Sequence, residues 1–278
     1  MLLSADFQFS QAALQAFMDC PRRFYWRYVR RVRWPAPQAQ PLVEHEERLQ
    51  RGWLFHRLVQ QHVLGVPEEL LARAVQADEL LARWWENYLS AHPAQVAGQR
   101  YPELVLSASL ADWRVMAKYD LVVVTPEKRW LIFDWKTAQR RTSRRKLLAR
   151  LQTRVYRYLL ARAGACLAGG VTPPPAQLEM VYWFANHPAD PEHFPYDATQ
   201  FAADEEYLSN LIMEVCAGQD AADFPLTTQE RHCRYCSYRS LCDRGKEAGD
   251  VDEMDEVPLA ESLDDFDLDL EQIAEIEF

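Results

Sequence analysis

The sequence predicts a mixed α/β fold: a small central sheet flanked by helices, with a helical cap built from the N-terminal segment. Three observations predict it. Helix-period segments come first and strand-period segments follow, in the order α, α, then β, β, β, α, β. A strand-like segment, Trp113 to Val124, and four consecutive β-friendly apolar residues, Trp130 to Phe133, which lead into Asp134-Trp135-Lys136, flank Thr125-Pro126-Glu127-Lys128. Proline presets φ for a turn and is poorly placed inside a central strand, so the two runs read as a hairpin. The chain of 278 residues, 49% hydrophobic and 26% charged, has the composition of a globular protein with a sizeable core.

The elements follow in order. Ser10 is a candidate N-cap for a helix reaching about Arg30, which Pro21 interrupts or restarts. Its second half, Arg22 to Tyr28, interleaves arginines with aromatics, either as a core face with solvated cations or as a nucleic-acid surface. Trp34 to Pro41 reads as a linker. A helix over Val43 to Val63 places Leu49, Trp53, Leu58 and His62 on its apolar side, with His56 one turn after Gly52. Glu68 to Ser90 is a second amphipathic helix, with Leu70, Leu71, Val75, Leu81, Trp84, Trp85 and Tyr88. Tyr101 to Ser109 opens the β section. After the hairpin come the basic residues Arg140, Arg141, Arg144 and Arg145, then a helix over Arg144 to Arg162 with Leu148, Leu151, Val155 and Leu159 in register. Gln152 and Tyr156 stand one turn apart on it. A proline-rich loop from Val171, a strand at Leu178 to Ala185 and a helix at Thr199 to Cys216 complete the body.

The hairpin carries the chemistry. Side chains at i and i+2 share a strand face, so Asp134 and Lys136 point one way and Trp135 the other. A turn centred on Glu127 makes paired residue numbers sum to 254. Val124 then faces Trp130, and Asp120 faces Asp134. Opposed carboxylates with Cβ atoms about 5 Å apart repel unless a cation lies between them. Oxygen donors of this kind suit a hard divalent metal, with Lys136 beside it.

Cys233, Cys236 and Cys242 place three thiols within ten residues, and Cys20, Cys166 and Cys216 lie elsewhere. Close thiol spacing suits zinc or an iron–sulfur cluster. A disulfide framework is not expected without secretion signals. Cys166 and Cys216 read as small core residues.

The net charge of −10 is unevenly distributed. Asp250 to Phe278 holds thirteen acids and no Lys or Arg. Removing those thirteen from 41 acidic residues leaves 28 against 31 basic ones, so the body is slightly basic and suited to a polyanion. The tail reads as disordered in isolation. It serves as a solubilising segment, as a dock for a partner, or as an occupant of the protein's own basic groove. No apolar run nears the roughly 20 residues of a membrane span, and the expected location is cytoplasmic.

Taken together, these residues resemble the RecB-like iron–sulfur branch of the PD-(D/E)XK nucleases, the type of the CRISPR-associated RecB-like exonucleases and the AddB nuclease domain. The elements stand in order: Ser10 and Cys20-Pro-Arg-Arg-Phe24, Gly52-x-x-x-His56, Asp120, Asp134-x-Lys136, Gln152-x-x-x-Tyr156 and the cysteine triplet. The match runs from about residue 7 to 244. Its second acid is Asp rather than Glu, and Tyr119 replaces the proline before Asp120.

The resemblance implies a restriction-endonuclease-like sheet in one nuclease domain over residues 1–249, with its core at about 43–217, ahead of the 250–278 tail. It implies that His56, Asp120, Asp134 and the Trp135 carbonyl bind Mg²⁺ or Mn²⁺, and that Lys136 positions or deprotonates the attacking water. Gln152 and Tyr156 would help hold the DNA strand; the arginine run, from its place just after the proposed metal site, reads as phosphate-guiding, with a solvated surface as the alternative. Cys20, Cys233, Cys236 and Cys242 would hold a structural 4Fe–4S cluster that closes the cap, zinc being the alternative. The implied activity is a metal-dependent exonuclease on single-stranded DNA ends, in repair, recombination or CRISPR adaptation. With no phosphate loop in the chain, any helicase, like any CRISPR integrase, would be a separate partner. The rival reading is a non-catalytic DNA-binding scaffold stapled by the same metal or cluster.

Overall fold

The computed structural model describes residues 2–32, 40–91, 96–167, 169–234 and 236–245; for residues 40–46 it describes the backbone alone. The acidic tail and most of the Trp34 linker lie outside the described residues.

Six strands form one mixed sheet: β1 (Gln8–Ser10), β2 (Gln99–Leu110), β3 (Trp113–Val124), β4 (Trp130–Lys136), β5 (Leu178–Phe184) and β6 (Glu192–Pro195). β3 is its spine. β2 runs antiparallel along one edge of β3, from Gln99 opposite Val124 to Leu110 opposite Trp113. The other edge is shared: β1 lies parallel to residues 114–116, and β4 lies antiparallel to residues 121–124. Between them, residues 117–120 of β3 have no strand partner on that side. The sheet is therefore split at Asp120. β5 runs parallel to β4, and β6 antiparallel to β5.

Helices cover both faces. On one, Leu14 and Phe17 of α1 (Gln11–Asp19), Phe24 of α2 (Pro21–Phe24), Val155 and Leu159 of α7 (Leu151–Ala163) and Leu208 and Ile212 of α8 (Ala198–Ala217) meet Trp130 and Ile132 of β4. On the other, Phe55, Leu58 and Val59 of α3 (Gln40–Val63), Leu71 of α4 (Glu68–Val75) and Trp84 and Trp85 of α5 (Glu79–Ala91) meet Leu131, Phe133 and Trp135. β4 is buried along its whole length because both of its faces are covered.

Local chemistry explains the boundaries. The Ser10 side chain accepts the Ala13 N–H, capping α1 as expected. Pro21 restarts the helix as α2, and a π-helical turn, Tyr25–Val29, follows. Asp78 accepts the Leu80 and Leu81 N–H groups and so starts α5, dividing the single helix expected over Glu68 to Ser90. The helix expected from Arg144 also divides. α6 (Arg144–Ala149) ends at Arg150, whose φ of −71° and ψ of 140° are extended. The break rotates the register, so Leu147 is buried and Leu148 is exposed. Similarly, α3 buries Phe55, Leu58 and Val59, while Trp53 is exposed. The N-terminal segment is tied to the C-terminal one: Arg22 donates to the Phe224 and Ala221 carbonyls at 2.7 and 2.8 Å, and Tyr238 to the Val32 carbonyl at 3.0 Å.

Candidate active site

The hairpin pairs as its turn predicts. Leu121 faces Phe133 and Val124 faces Trp130, with numbers summing to 254. The Lys128 N–H closes the turn on the Thr125 carbonyl, and Lys128 takes the left-handed φ of 61°. The ladder stops one pair short of Asp120 and Asp134. There the Asp120 side chain replaces the missing backbone: its Oδ2 accepts the Trp135 N–H at 2.9 Å. On a strand the N–H and C=O of one residue point to the same edge, so the Trp135 carbonyl faces the same gap.

His56 enters from the other layer. Phe55, fully buried, stacks on Trp183 with ring centroids 6.0 Å apart, a contact worth about 0.5–1.5 kcal/mol beyond its burial. That anchor sets α3 so that His56 Nδ1 lies 3.1 Å from Asp120 Oδ1. Burial works against a charged imidazole, but the adjacent Asp120 carboxylate outweighs it and raises the His56 pKa. Burial likewise resists ionisation of Asp120, yet His56, the Trp135 N–H and Lys136 together lower its pKa.

Asp134 and Lys136 do share a face. Asp134 Oδ2 lies 2.8 Å from Lys136 Nζ. α7 supplies the third member: the Gln152 amide donates to Asp134 Oδ1 at 2.6 Å, and its Oε1 accepts from Lys136 Nζ at 3.1 Å. The three side chains close a buried ring, with Lys136 Nζ also 5.3 Å from the centre of the Tyr182 ring. Burial, reinforced by Asp120, raises the Asp134 pKa despite Lys136. The Tyr156 hydroxyl hydrogen-bonds Gln152, and the Tyr156 carbonyl accepts from Tyr119 at 2.9 Å. Gln152 and Tyr156 are 4% and 5% exposed, so both face the carboxylates and not the surface. Sequence spacing marked both residues but not this inward role.

One buried polar atom at this site, His56 Nε2, has no hydrogen-bond partner. Asp134 Oδ2 is met by the Lys136 ammonium. A neutral imidazole nitrogen, two carboxylates and a backbone carbonyl facing one gap are the donor types a divalent cation takes. Among the described residues, no group of three or more His, Cys, Asp or Glu side chains is drawn together as a ready-made metal site.

The arginine run is divided. Arg141 and Arg144 bind opposite oxygens of Glu192 at 2.6 and 2.8 Å, with Arg144 over the Phe194 ring. Arg140 and Arg145 are exposed. The four cysteines approach one another from both ends of the chain: Cys20 acts electrostatically on Cys233, Cys236 and Cys242. Burial pushes those three thiols up, Cys236 to about 11. All are unbridged. Cys166 is exposed and Cys216 half-buried, so Cys166 is not the core residue expected.

A model of the PD-(D/E)XK nuclease superfamily matches residues 8–243, which span every element described above. The chain belongs to the PD-(D/E)XK nuclease superfamily. Its mixed sheet flanked by helices is consistent with the restriction-endonuclease-like fold of these nucleases. Among solved structures, the chain is similar to a candidate exonuclease from Eubacterium rectale. The two are 7% identical, with 75% of this chain and 80% of that one covered and a TM-score of 0.46. It is also similar to a protein named SSO0001, at 12% identity, 82% and 84% coverage and a TM-score of 0.39. Neither likeness bears on activity at these scores. No curated protein matches the chain. No helix among the described residues is long and apolar enough to cross a membrane.

Proposed function

We propose that this nuclease is a metal-dependent deoxyribonuclease that degrades single-stranded DNA from its ends. The observation that carries the reading is the split in the sheet. One buried gap receives Asp120 and the Trp135 carbonyl from the strand edges, His56 from one helical layer, and the Asp134–Lys136–Gln152 ring from the other face. A purely structural gap has no use for a buried imidazole nitrogen without a partner, which costs about 1–3 kcal/mol.

His56, Asp120, Asp134 and the Trp135 carbonyl hold Mg²⁺ or Mn²⁺, which when bound lowers the pKa of water and offsets charge on the phosphate. Lys136 supplies a directed cation 2.8 Å from Asp134, where it orients the attacking water and takes part in its deprotonation. Gln152 fixes both partners of that pair, so the amine and carboxylate keep their spacing without reorganisation. Tyr156 buttresses Gln152. DNA is guided by the exposed Arg140 and Arg145, and by Arg141 and Arg144 where phosphate displaces Glu192.

Cys20, Cys233, Cys236 and Cys242 hold a 4Fe–4S cluster, with zinc the alternative guest. The electrostatic reach of Cys20 to the other three, from the opposite end of the chain, supports this reading. The nuclease works in repair, recombination or CRISPR adaptation beside a helicase or integrase chain. The acidic tail docks a partner or occupies the protein's own groove.

Anaerobically purified protein with Mn²⁺ or Mg²⁺ should shorten linear single strands, leave circular single strands intact, and release mononucleotides or short products from one labelled end. Cleavage of circles at the same rate would overturn the exonuclease reading and retain only the nuclease.

A further inference from the structure

Glu103 lies on β2 at the position that faces Asp120: Pro102 and Leu104, its neighbours, pair with Leu121 and Tyr119. Its φ is +53°, in the left-handed region that residues with a Cβ avoid. Gly, Asn and Asp are the usual occupants of that region, so a glutamate there inside a strand is informative.

The two strands change faces at this pair. On β3, Val115, Ala117 and Tyr119 belong to the core beneath α7. Simple alternation would keep Leu121 and Val123 on that side. Instead both belong to the core beneath α3, and Val122 takes the α7 side. β2 shifts in step, with Leu104 and Leu106 on the α7 side and then Tyr101. Asp120 is therefore at the crossover. It lies on neither face in the ordinary way, and this frees its carboxylate to reach across the edge to the Trp135 N–H and to His56. The Glu103 side chain is paired with Lys118 at 2.5 Å.

We propose that Glu103 is a positioning residue whose left-handed backbone turns the β2–β3 hairpin over and aims Asp120 into the gap. The role belongs to the main chain, not to the carboxylate. The proposal rests on the reading that Asp120 helps hold a divalent ion.

Replacing Glu103 by Gly or by Ala separates the two roles. Both variants lack the carboxylate, and they differ by one methyl group that matters only in the left-handed region. Full-length protein is titrated with Mn²⁺ by calorimetry, with Asp120→Asn as the reference for loss of the site, and thermal melting confirms folding. Glu103→Gly and Glu103→Asn should bind Mn²⁺ within about threefold of wild type, and Glu103→Ala about tenfold more weakly. Glu103→Val should be weaker still; if it fails to fold, the Gly and Ala pair still decides. Equal weakening in Gly and Ala would assign the role to the carboxylate and overturn the proposal. Wild-type affinity in both would overturn it as well. Unchanged Mn²⁺ binding in Asp120→Asn would instead remove the metal reading on which the proposal stands.

Discussion

Asp134 has its charge met by Lys136 and one oxygen held by Gln152, whereas the four cysteines of the cap are unbridged. The two sites also differ in who holds them. The carboxylate gap is fixed by hydrogen bonds among its own functional groups, with strands and two helical layers behind them. The cysteine corner is fixed from outside. Arg22 donates to carbonyls at 221 and 224, Phe24 stacks on Phe224 at 6.1 Å, and Tyr238 reaches Val32. The difference teaches that the first site is organised from within by its own side chains, and that the second is organised by the contacts that tie the two ends of the chain together. Perturbing the first should change chemistry more than stability, and perturbing the second should do the reverse.

The sharpest way to break that contrast is Asp134→Asn. It keeps the shape and a bond to Gln152, but removes the charge. Cleavage should fall about 10²–10⁴-fold, with a melting temperature near that of wild type. A steep loss of stability with residual activity would erase the distinction. Cys236→Ser tests the other side. If the corner holds a metal guest, the variant should lose it and melt more than about 5 °C lower, since binding free energy at such sites is folding free energy. Its cleavage rate, measured at a temperature where it is still folded, should change little. Identical melting curves would show that the thiols stabilise nothing.

Gln152→Ala falls between the two. It strips a partner from a buried carboxylate and a buried ammonium, an expected cost of about 1–3 kcal/mol, and it lowers cleavage by loosening Lys136. Restored stability without restored activity in Gln152→Met would show that the amide orients the pair as well as filling space. A role confined to DNA contact would instead leave stability unchanged and raise the KM alone.

The smallest effect is expected far from both sites. Asp78→Ala should cost about 1 kcal/mol through the lost N-cap of α5 and leave cleavage intact. Burial opposes ionisation of Asp78, but the Leu81 N–H and Arg51 outweigh it and lower its pKa. A lowered carboxylate stabilises the fold above its unfolded pKa and ceases to do so as pH falls through the folded value. The gap between wild type and variant should therefore be full at neutral pH and close in acid, as urea midpoints from pH 7 to 3 would show.

Much of the candidate site was legible because short-range rules govern it. Alternation put Asp134 and Lys136 on one face, and the Pro126 turn fixed a register that brought Asp120 to the strand edge beside them. Ser10 capped its helix by a local bond. What was not legible depends on distant partners. β1 is three residues long and exists because β3 offers it an edge. β6 is similarly short and, among the described residues, is paired through β5. The break at Arg150 carries no proline or glycine; the Thr153 hydroxyl bonds the Leu147 carbonyl across it. Trp53 looked apolar enough for the core, but Phe55 holds the position that meets Trp183. The β2–β3 turn uses Ala111 and Asp112 at φ of 48° and 64°, without the glycine that usually signals such a turn. The crossover at Glu103 and Asp120 is a property of two paired strands, and no single-strand periodicity encodes it.

Lys136→Ala tests the central claim most directly, read by Mn²⁺ calorimetry and by cleavage of end-labelled single-stranded DNA beside wild type. The ammonium lies next to the proposed ligands without being one, so metal binding and hydrolysis should separate. The account predicts that the folded variant binds Mn²⁺ with wild-type stoichiometry and cleaves about 10²–10⁴-fold more slowly. Cleavage by the variant at the wild-type rate would contradict it, as would a folded, metal-loaded wild type inert on single-stranded, duplex and tailed DNA.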